Sequence, residues 1–117
     1  MGVQKKINIQ NKKARFEFEI LDKYTAGIQL TGTEIKSIRE SKARITESFC
    51  EFNDRGELFI VNMYIEEYSF GHHFNHKTTS ERRLLLNKRE LRSLQKDVEA
   101  KGNTIVPLRL FLNENGW

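Results

Sequence analysis

The chain has 117 residues, of which 38% are hydrophobic and 31% charged, enough for one domain with one core. Twenty Lys and Arg against sixteen Asp and Glu leave a net charge of +4, a balance that favours an anionic partner. The single cysteine, Cys50, excludes a disulfide within the chain, and no apolar run approaches the ~18 residues of a membrane span. Residues 1–10 lack the apolar core of a secretory signal, so the chain reads as cytoplasmic with no membrane partner.

Residues 1–13 read as a basic, weakly ordered arm. In residues 15–20 Phe16, Phe18 and Ile20 alternate with Arg15, Glu17 and Glu19, a period of two that predicts a half-buried strand. Residues 24–30 predict a second strand, with Ala26, Ile28 and Leu30 on one face. Thr31-Gly32-Thr33-Glu34 matches a capping box, and a short helix over about 32–40 follows, burying Ile35 and Ile38. Residues 41–47 read as a polar connection.

Phe49–Phe52 and residues 58–65 predict strands around Asn53-Asp54-Arg55-Gly56, where Gly56 supplies the positive φ of a tight hairpin. The consecutive apolar residues Leu58-Phe59-Ile60-Val61 predict burial on both sides. Residues 66–80 form a long loop, and a loop of that length in a compact domain points to function or disorder. Leu84-Leu85-Leu86 reads as core. Asn87-Lys88-Arg89-Glu90 repeats the capping-box pattern. It opens a helix with Leu91, Leu94 and Val98 on one stripe, Lys88, Arg92 and Lys96 on another, and Gly102 as its stop. Residues 104–112 alternate through Val106, Leu108, Leu110 and Leu112, with Pro107 marking an edge or a bulge. Together these predict a mainly β fold with flanking helices: a small antiparallel β-barrel with two or three α-helices, one domain over residues 1–117.

The basic residues cluster in three places: Lys5, Lys6, Lys12, Lys13 and Arg15; Lys36, Arg39, Lys42 and Arg44; and Arg82, Arg83, Lys88, Arg89, Arg92, Lys96 and Lys101. Such patches neutralise phosphates, and arginine adds stacking and bidentate contact. In the long loop, Phe74-Asn75-His76 offers a stacking ring and two groups able to bond base edges or a 2′-hydroxyl. The plain alternatives are solvated charge and a phenylalanine that covers the core. His72, His73 and His76 raise a metal question, but a structural zinc site wants four ligands and Cys50 lies far away in sequence. No phosphate-cradling glycine loop, paired-cysteine motif or nucleophile motif is present, so the chain reads as a binding protein without catalytic residues, metal or cofactor.

Four blocks carry a family resemblance: Asn11-Lys12-Lys13-Ala14-Arg15; the segment from Ala26 through Thr31-Gly32-Thr33-Glu34 to Arg39; Phe74-Asn75-His76; and Arg82-Arg83-Leu84-Leu85-Leu86-Asn87-Lys88-Arg89-Glu90. From about Ile9 to Trp117 the chain resembles SmpB, the SsrA-binding protein family of bacterial trans-translation. The resemblance implies an oligonucleotide-binding-like barrel and three partners. These are the tRNA-like domain of transfer-messenger RNA (tmRNA), the ribosome, and the elongation factor that delivers aminoacyl-tRNA. It implies RNA contact at Asn11, Lys12, Arg15, Lys36, Arg39, Asn75, His76, Arg82 and Arg83, with Leu85 supporting the contact surface. Phe16 stands where many relatives have histidine, Thr25 where an acid is frequent and Cys50 where tyrosine is frequent. Relatives continue past the Asn-Gly-Trp segment with a further strand and a basic tail that acts on the ribosome; the expectation is that this chain lacks both. The competing readings are a general single-stranded nucleic-acid-binding barrel and a metal-dependent nuclease built on His72, His73 and His76. The first wants a row of exposed aromatics, whereas Phe16, Phe18, Phe49, Phe52, Phe59 and Phe111 sit in patterns that read as internal.

Overall fold

The computed structural model describes residues 8–69 and 75–111. Its first surprise is at the N-terminal end. Strand β1 (Asn8–Gln10) pairs antiparallel with β8 (Arg109–Phe111), and helix α1 (Lys12–Glu17) follows at once. The expected arm is therefore ordered from residue 8, and the expected strand over 15–20 is in its first half a helix. Asn11 decides this. Its side chain accepts the Ala14 N–H at 3.1 Å as the N-cap and donates to Pro107 O at 2.9 Å and Ile45 O at 3.3 Å. Only Ala14 of the helix is buried, so Phe16 and Phe18 turn to solvent, 94% and 48% exposed, rather than into the core.

Only Gly27–Ile28 of the expected second strand forms a ladder, β2, which pairs with β7 (Arg82–Leu85). Gly27 lies opposite Leu85, where an added Cβ would come within 3.4 Å of the Leu85 Cβ. Helix α2 (Gly32–Arg39) starts at the Thr31–Glu34 capping box as expected, and buries Ile38 fully while Ile35 stays half-buried. The polar connection that follows contains β3 (Ala43–Arg44), with Ala43 and Ile45 in the core.

The β4 (Phe49–Phe52) and β5 (Leu58–Val61) hairpin forms as expected, with Gly56 at φ +77°. Asn62, at φ +61°, then breaks the long strand and starts a separate β6 (Tyr64–Ile65), which pairs with β3. Asparagine tolerates this left-handed conformation better than most residues. Leu58 and Ile60 are buried while Phe59 and Val61 are half-buried, so β5 has one fully covered face instead of two. Helix α3 (Lys88–Lys101) begins with the Asn87–Glu90 capping box and ends at Gly102, φ +65°. Beyond it, among the described residues, the chain bridges β4 at Ile105 opposite Cys50 and forms a ladder again in β8. Pro107 lies in that gap, consistent with its missing N–H.

The ladders form three antiparallel sheets, ordered β2-β7-β5-β4, β1-β8 and β3-β6; they do not close into one ring among the described residues. One core joins them: Ile38, Ala43, Ile45, Cys50, Leu58, Ile60, Met63, Ile65 and Leu94.

Candidate nucleic-acid interface

Strand β7 alternates, and the alternation reassigns its two arginines. Leu84 and Leu86 pack against the core while Leu85 is 45% exposed. Arg82 falls on the same side as Leu84, so it points inward, and Arg83 points out. Arg82 is 3% exposed. Its Nε–H donates to Glu34 Oε2 of α2, Nη1–H donates to Met63 O at 2.6 Å, and Nη2–H donates to Thr78 O at 3.1 Å and Lys77 O at 3.2 Å. Glu34 uses its other oxygen to accept the Thr31 N–H at 2.8 Å, closing the capping box. One buried ion pair thus fastens the start of α2, the end of β5's extension and the last limb of the long loop. With its fork occupied and its charge met by Glu34, Arg82 is not presented to a phosphate, against the expectation of direct contact.

His76 and Asn75 serve the same junction. His76 Nε2 lies 2.9 Å from Ile65 O, and because a carbonyl can only accept, Nε2 carries the proton. Nδ1 pairs with the Thr33 hydroxyl at 2.9 Å. Asn75 Nδ2 donates to Tyr68 O at 2.9 Å and Oδ1 accepts the Tyr68 N–H at 3.1 Å, so this amide pairs with Tyr68 as a strand neighbour would. The Lys36 ammonium sits 5.5 Å from the centre of the Tyr68 ring. Asn75 and His76 are half-buried; Asn75 joins the two limbs of the loop, and His76 ties the second limb to α2 and β6. Phe74, His72 and His73 lie outside the described residues.

Asn11 is buried at 1% exposure and, like Arg82, acts on the structure from within. The expected cations around it are outside: Lys12 and Arg15 are exposed on α1, and Lys36 and Arg39 on α2. The two helices are joined through β3: the Asn11 amide donates to Ile45 O just after it, and the Lys42 N–H just before it donates to Ser37 O of α2 at 3.0 Å. Arg44 of β3 is also exposed, with its guanidinium 4.6 Å from the centre of the Tyr64 ring. Arg83 is exposed but engaged, its Nη1 3.0 Å from Glu57 Oε2. Lys13 meets Glu47 at 3.2 Å, and that partner holds its pKa above the ordinary lysine value.

The nine expected contact residues therefore separate into two kinds. Lys12, Arg15, Lys36, Arg39 and Arg83 offer charge at the surface; Asn11, Asn75, His76 and Arg82 hold the elements that carry it. Sequence reasoning missed Glu34 as the counter-charge, because its capping role already explained it. It also missed exposed Phe16, whose alternation with Phe18 pointed inward. Among the described residues no group of three His, Cys, Asp or Glu side chains is placed to hold a metal ion. Cys50 is buried against the core, and burial pushes its thiol up to about 12. No described helix is long and apolar enough to cross a membrane.

The family model described as "SmpB protein" matches residues 8–117. An SsrA-binding protein of Flavobacterium johnsoniae is 70% identical over 112 residues, covering 96% of this chain and 74% of the relative. One from Bacteroides thetaiotaomicron is 52% identical over 113 residues, covering 97% and 75%. A chain of a solved structure described as "tmRNA-SmpB: a journey to the center of the bacterial ribosome" superposes with a TM-score of 0.76 at 47% identity, over 95% of this chain and 77% of its own. The chain spans about three quarters of the length of these relatives. With the family model covering nearly all of it and relatives this similar, the chain belongs to the SmpB protein family.

Proposed function

We propose that this protein binds transfer-messenger RNA through its tRNA-like domain and takes it to stalled ribosomes, where the RNA supports trans-translation. Its partners are that RNA, the ribosome and the elongation factor that delivers aminoacyl-tRNA, and it works in the cytoplasm as a binding protein, not a catalyst. The three sheets around one core are read as the wall of an oligonucleotide-binding-like barrel. The observation that carries the reading is the pairing of family membership with the way charge is mounted. Lys12, Arg15, Lys36 and Arg39 are exposed on two short helices whose roots, Asn11 and Glu34, are buried and hydrogen-bonded. A folded RNA is recognised by shape, which asks for cations at fixed positions more than for flexible ones.

In this mechanism the α1 and α2 cations pair with phosphates of the folded RNA and release counterions. The Glu34–Arg82 pair and the His76–Thr33 contact keep α2 and the loop limb at one spacing, so the RNA meets a preformed surface. A gel-shift titration with folded tRNA-like RNA, competed by ordinary tRNA and by single-stranded RNA, tests it. Selective binding that weakens about tenfold in Lys12→Ala/Arg15→Ala is expected for two lost charge contacts. Equal binding to all three RNAs, unchanged by the substitutions, would refute it and favour a general single-strand binder.

A further inference from the structure

The β1–β8 ladder carries a small polar and aromatic face that the nine expected contact residues do not include. Its register sets Asn8 opposite Phe111, Ile9 opposite Leu110 and Gln10 opposite Arg109. Alternation along the paired strands puts Ile9 and Leu110 on one side, where both pack against the core. Asn8, Gln10, Arg109 and Phe111 take the other side, and all four are exposed. The sequence pattern reads Phe111 as internal; in the ladder it lies out of phase with Leu110 and is 37% exposed.

This face has the size and the chemistry of a contact for one nucleobase. Directly opposed side chains stand about 5 Å apart, and successive ones on the same side of a strand about 7 Å apart. The Arg109 guanidinium lies 4.5 Å from the centre of the Phe111 ring, so a cation and an aromatic plane are already together. Beside them Asn8 and Gln10 supply two amides, each both donor and acceptor. Among the described residues neither amide side chain nor the Arg109 guanidinium has a hydrogen-bond or ion-pair partner. The ladder contains no acid that would repel an anionic strand. Unpaired bases of RNA are recognised with these groups: a ring or guanidinium to stack on, and amides along the base edge.

The face is fixed in place and adjoins the helix whose cations are proposed to meet phosphates. Asn11, next after Gln10, holds the end of the ladder: its N–H donates to Leu108 O at 2.9 Å and its side chain to Pro107 O at 2.9 Å. Helix α1 then starts at Lys12. Two residues of chain span at most about 7 Å. Lys12 therefore stands close enough to Gln10 to meet the phosphate of a nucleotide whose base rests on the ladder.

We infer that the Asn8, Gln10, Arg109 and Phe111 face binds one unpaired nucleobase of the tRNA-like RNA, stacked on the Phe111–Arg109 pair and hydrogen-bonded by the two amides. The inference rests on the proposed function and adds a base contact to its phosphate contacts. Its test is a gel-shift titration of the full chain over a salt series. The RNAs are the tRNA-like RNA, copies of it with each unpaired nucleotide in turn made abasic, a fully paired RNA of equal length, and single-stranded RNA. The variants are Phe111→Leu, the ring-keeping Phe111→Tyr and Gln10→Ala, each with its thermal melt. Phe111→Leu is expected to bind tRNA-like RNA about tenfold more weakly with an unchanged salt slope, since a stack is lost and no phosphate contact. Phe111→Tyr binds like the parent, and Gln10→Ala loses about threefold. The paired RNA binds every variant as it binds the parent. One abasic position costs as much as Phe111→Leu, and the two losses do not add, because they remove the same contact. Where Phe111→Leu does not fold, Gln10→Ala decides, with its loss expected on RNA that has the unpaired base and not on paired RNA. Unchanged binding in Phe111→Leu and Gln10→Ala, equal weakening on paired RNA, a lowered salt slope in Phe111→Leu, or losses that add at every abasic position would each overturn the inference. A parent that does not prefer tRNA-like RNA, yet loses single-stranded RNA in Phe111→Leu, would refute the proposed function and leave the base contact standing; a parent that binds no RNA would overturn both.

Discussion

Two side chains of one type, Arg82 and Arg83, stand next to each other in β7 and do opposite work. Arg82 is closed in by Glu34 and three carbonyls, whereas Arg83 faces solvent beside Glu57. Removing one partner of a buried ion pair leaves the other charged and desolvated, which costs about 3–5 kcal/mol. Arg82→Ala should therefore lower stability by that amount in urea denaturation, whereas Arg83→Ala should stay within about 1 kcal/mol, as exposed pairs do. Equal effects would mean the inward alternation of β7 is misassigned. Burial of Cys50 gives a second expectation. Its thiol is raised from 9.0 to about 12, so the folded chain keeps the proton through the window where the unfolded chain loses it. Stability tied to this group is complete below about pH 9 and declines as pH rises toward 12. A thiol reagent at pH 8 should label Cys50 slowly in the native protein and fast in urea; equally fast labelling in both would contradict its burial. The sequence made the cations of both kinds visible, since residue type is printed, but not which were inward. The period of two from Leu84 and Leu86 was the available signal for Arg82.

At the scale of elements, whatever is set by neighbours in sequence was readable and whatever is set by distant pairing was not. Both capping boxes, the Gly56 turn and the Gly102 stop lie within a few residues of what they control, and all four are where their motifs put them. Helix α1 was not readable from its period, because six residues hold less than two turns and Phe16, Phe18 and Ile20 imitate a strand. Its determinant is the Asn11 side chain reaching Pro107, 96 positions away. The short β3–β6 ladder, too, depends on Asn62 taking a left-handed turn before Tyr64. Asn11→Ala should remove the cap and both carbonyl contacts, at about 2 kcal/mol. Thermal melts would show this, and RNA affinity should fall with it because Lys12 and Arg15 lose their footing. Asn87→Ala, which removes only a cap, should cost about 1 kcal/mol and leave RNA affinity within about twofold. A loss of RNA binding in Asn87→Ala as large as in Asn11→Ala would tie recognition to general stability and not to α1.

For the whole molecule, the account holds that surface cations recognise the RNA and buried polar residues hold those cations in place. Net charge alone, +4, could not separate this from loose attraction to any polyanion; the separation comes from the buried roots of α1 and α2. The most direct measurement is the salt dependence of tRNA-like RNA binding for two variants, each with its thermal melt. The account predicts that Lys36→Ala/Arg39→Ala loses about two units of salt slope, one per phosphate contact, with a smaller fall in melting temperature than Arg82→Lys. It predicts that Arg82→Lys, which keeps the charge but loses the fork, melts earlier and, below its melt, keeps the parent slope. A lowered slope with an unchanged melt in Arg82→Lys, beside an unchanged slope in Lys36→Ala/Arg39→Ala, would contradict the account.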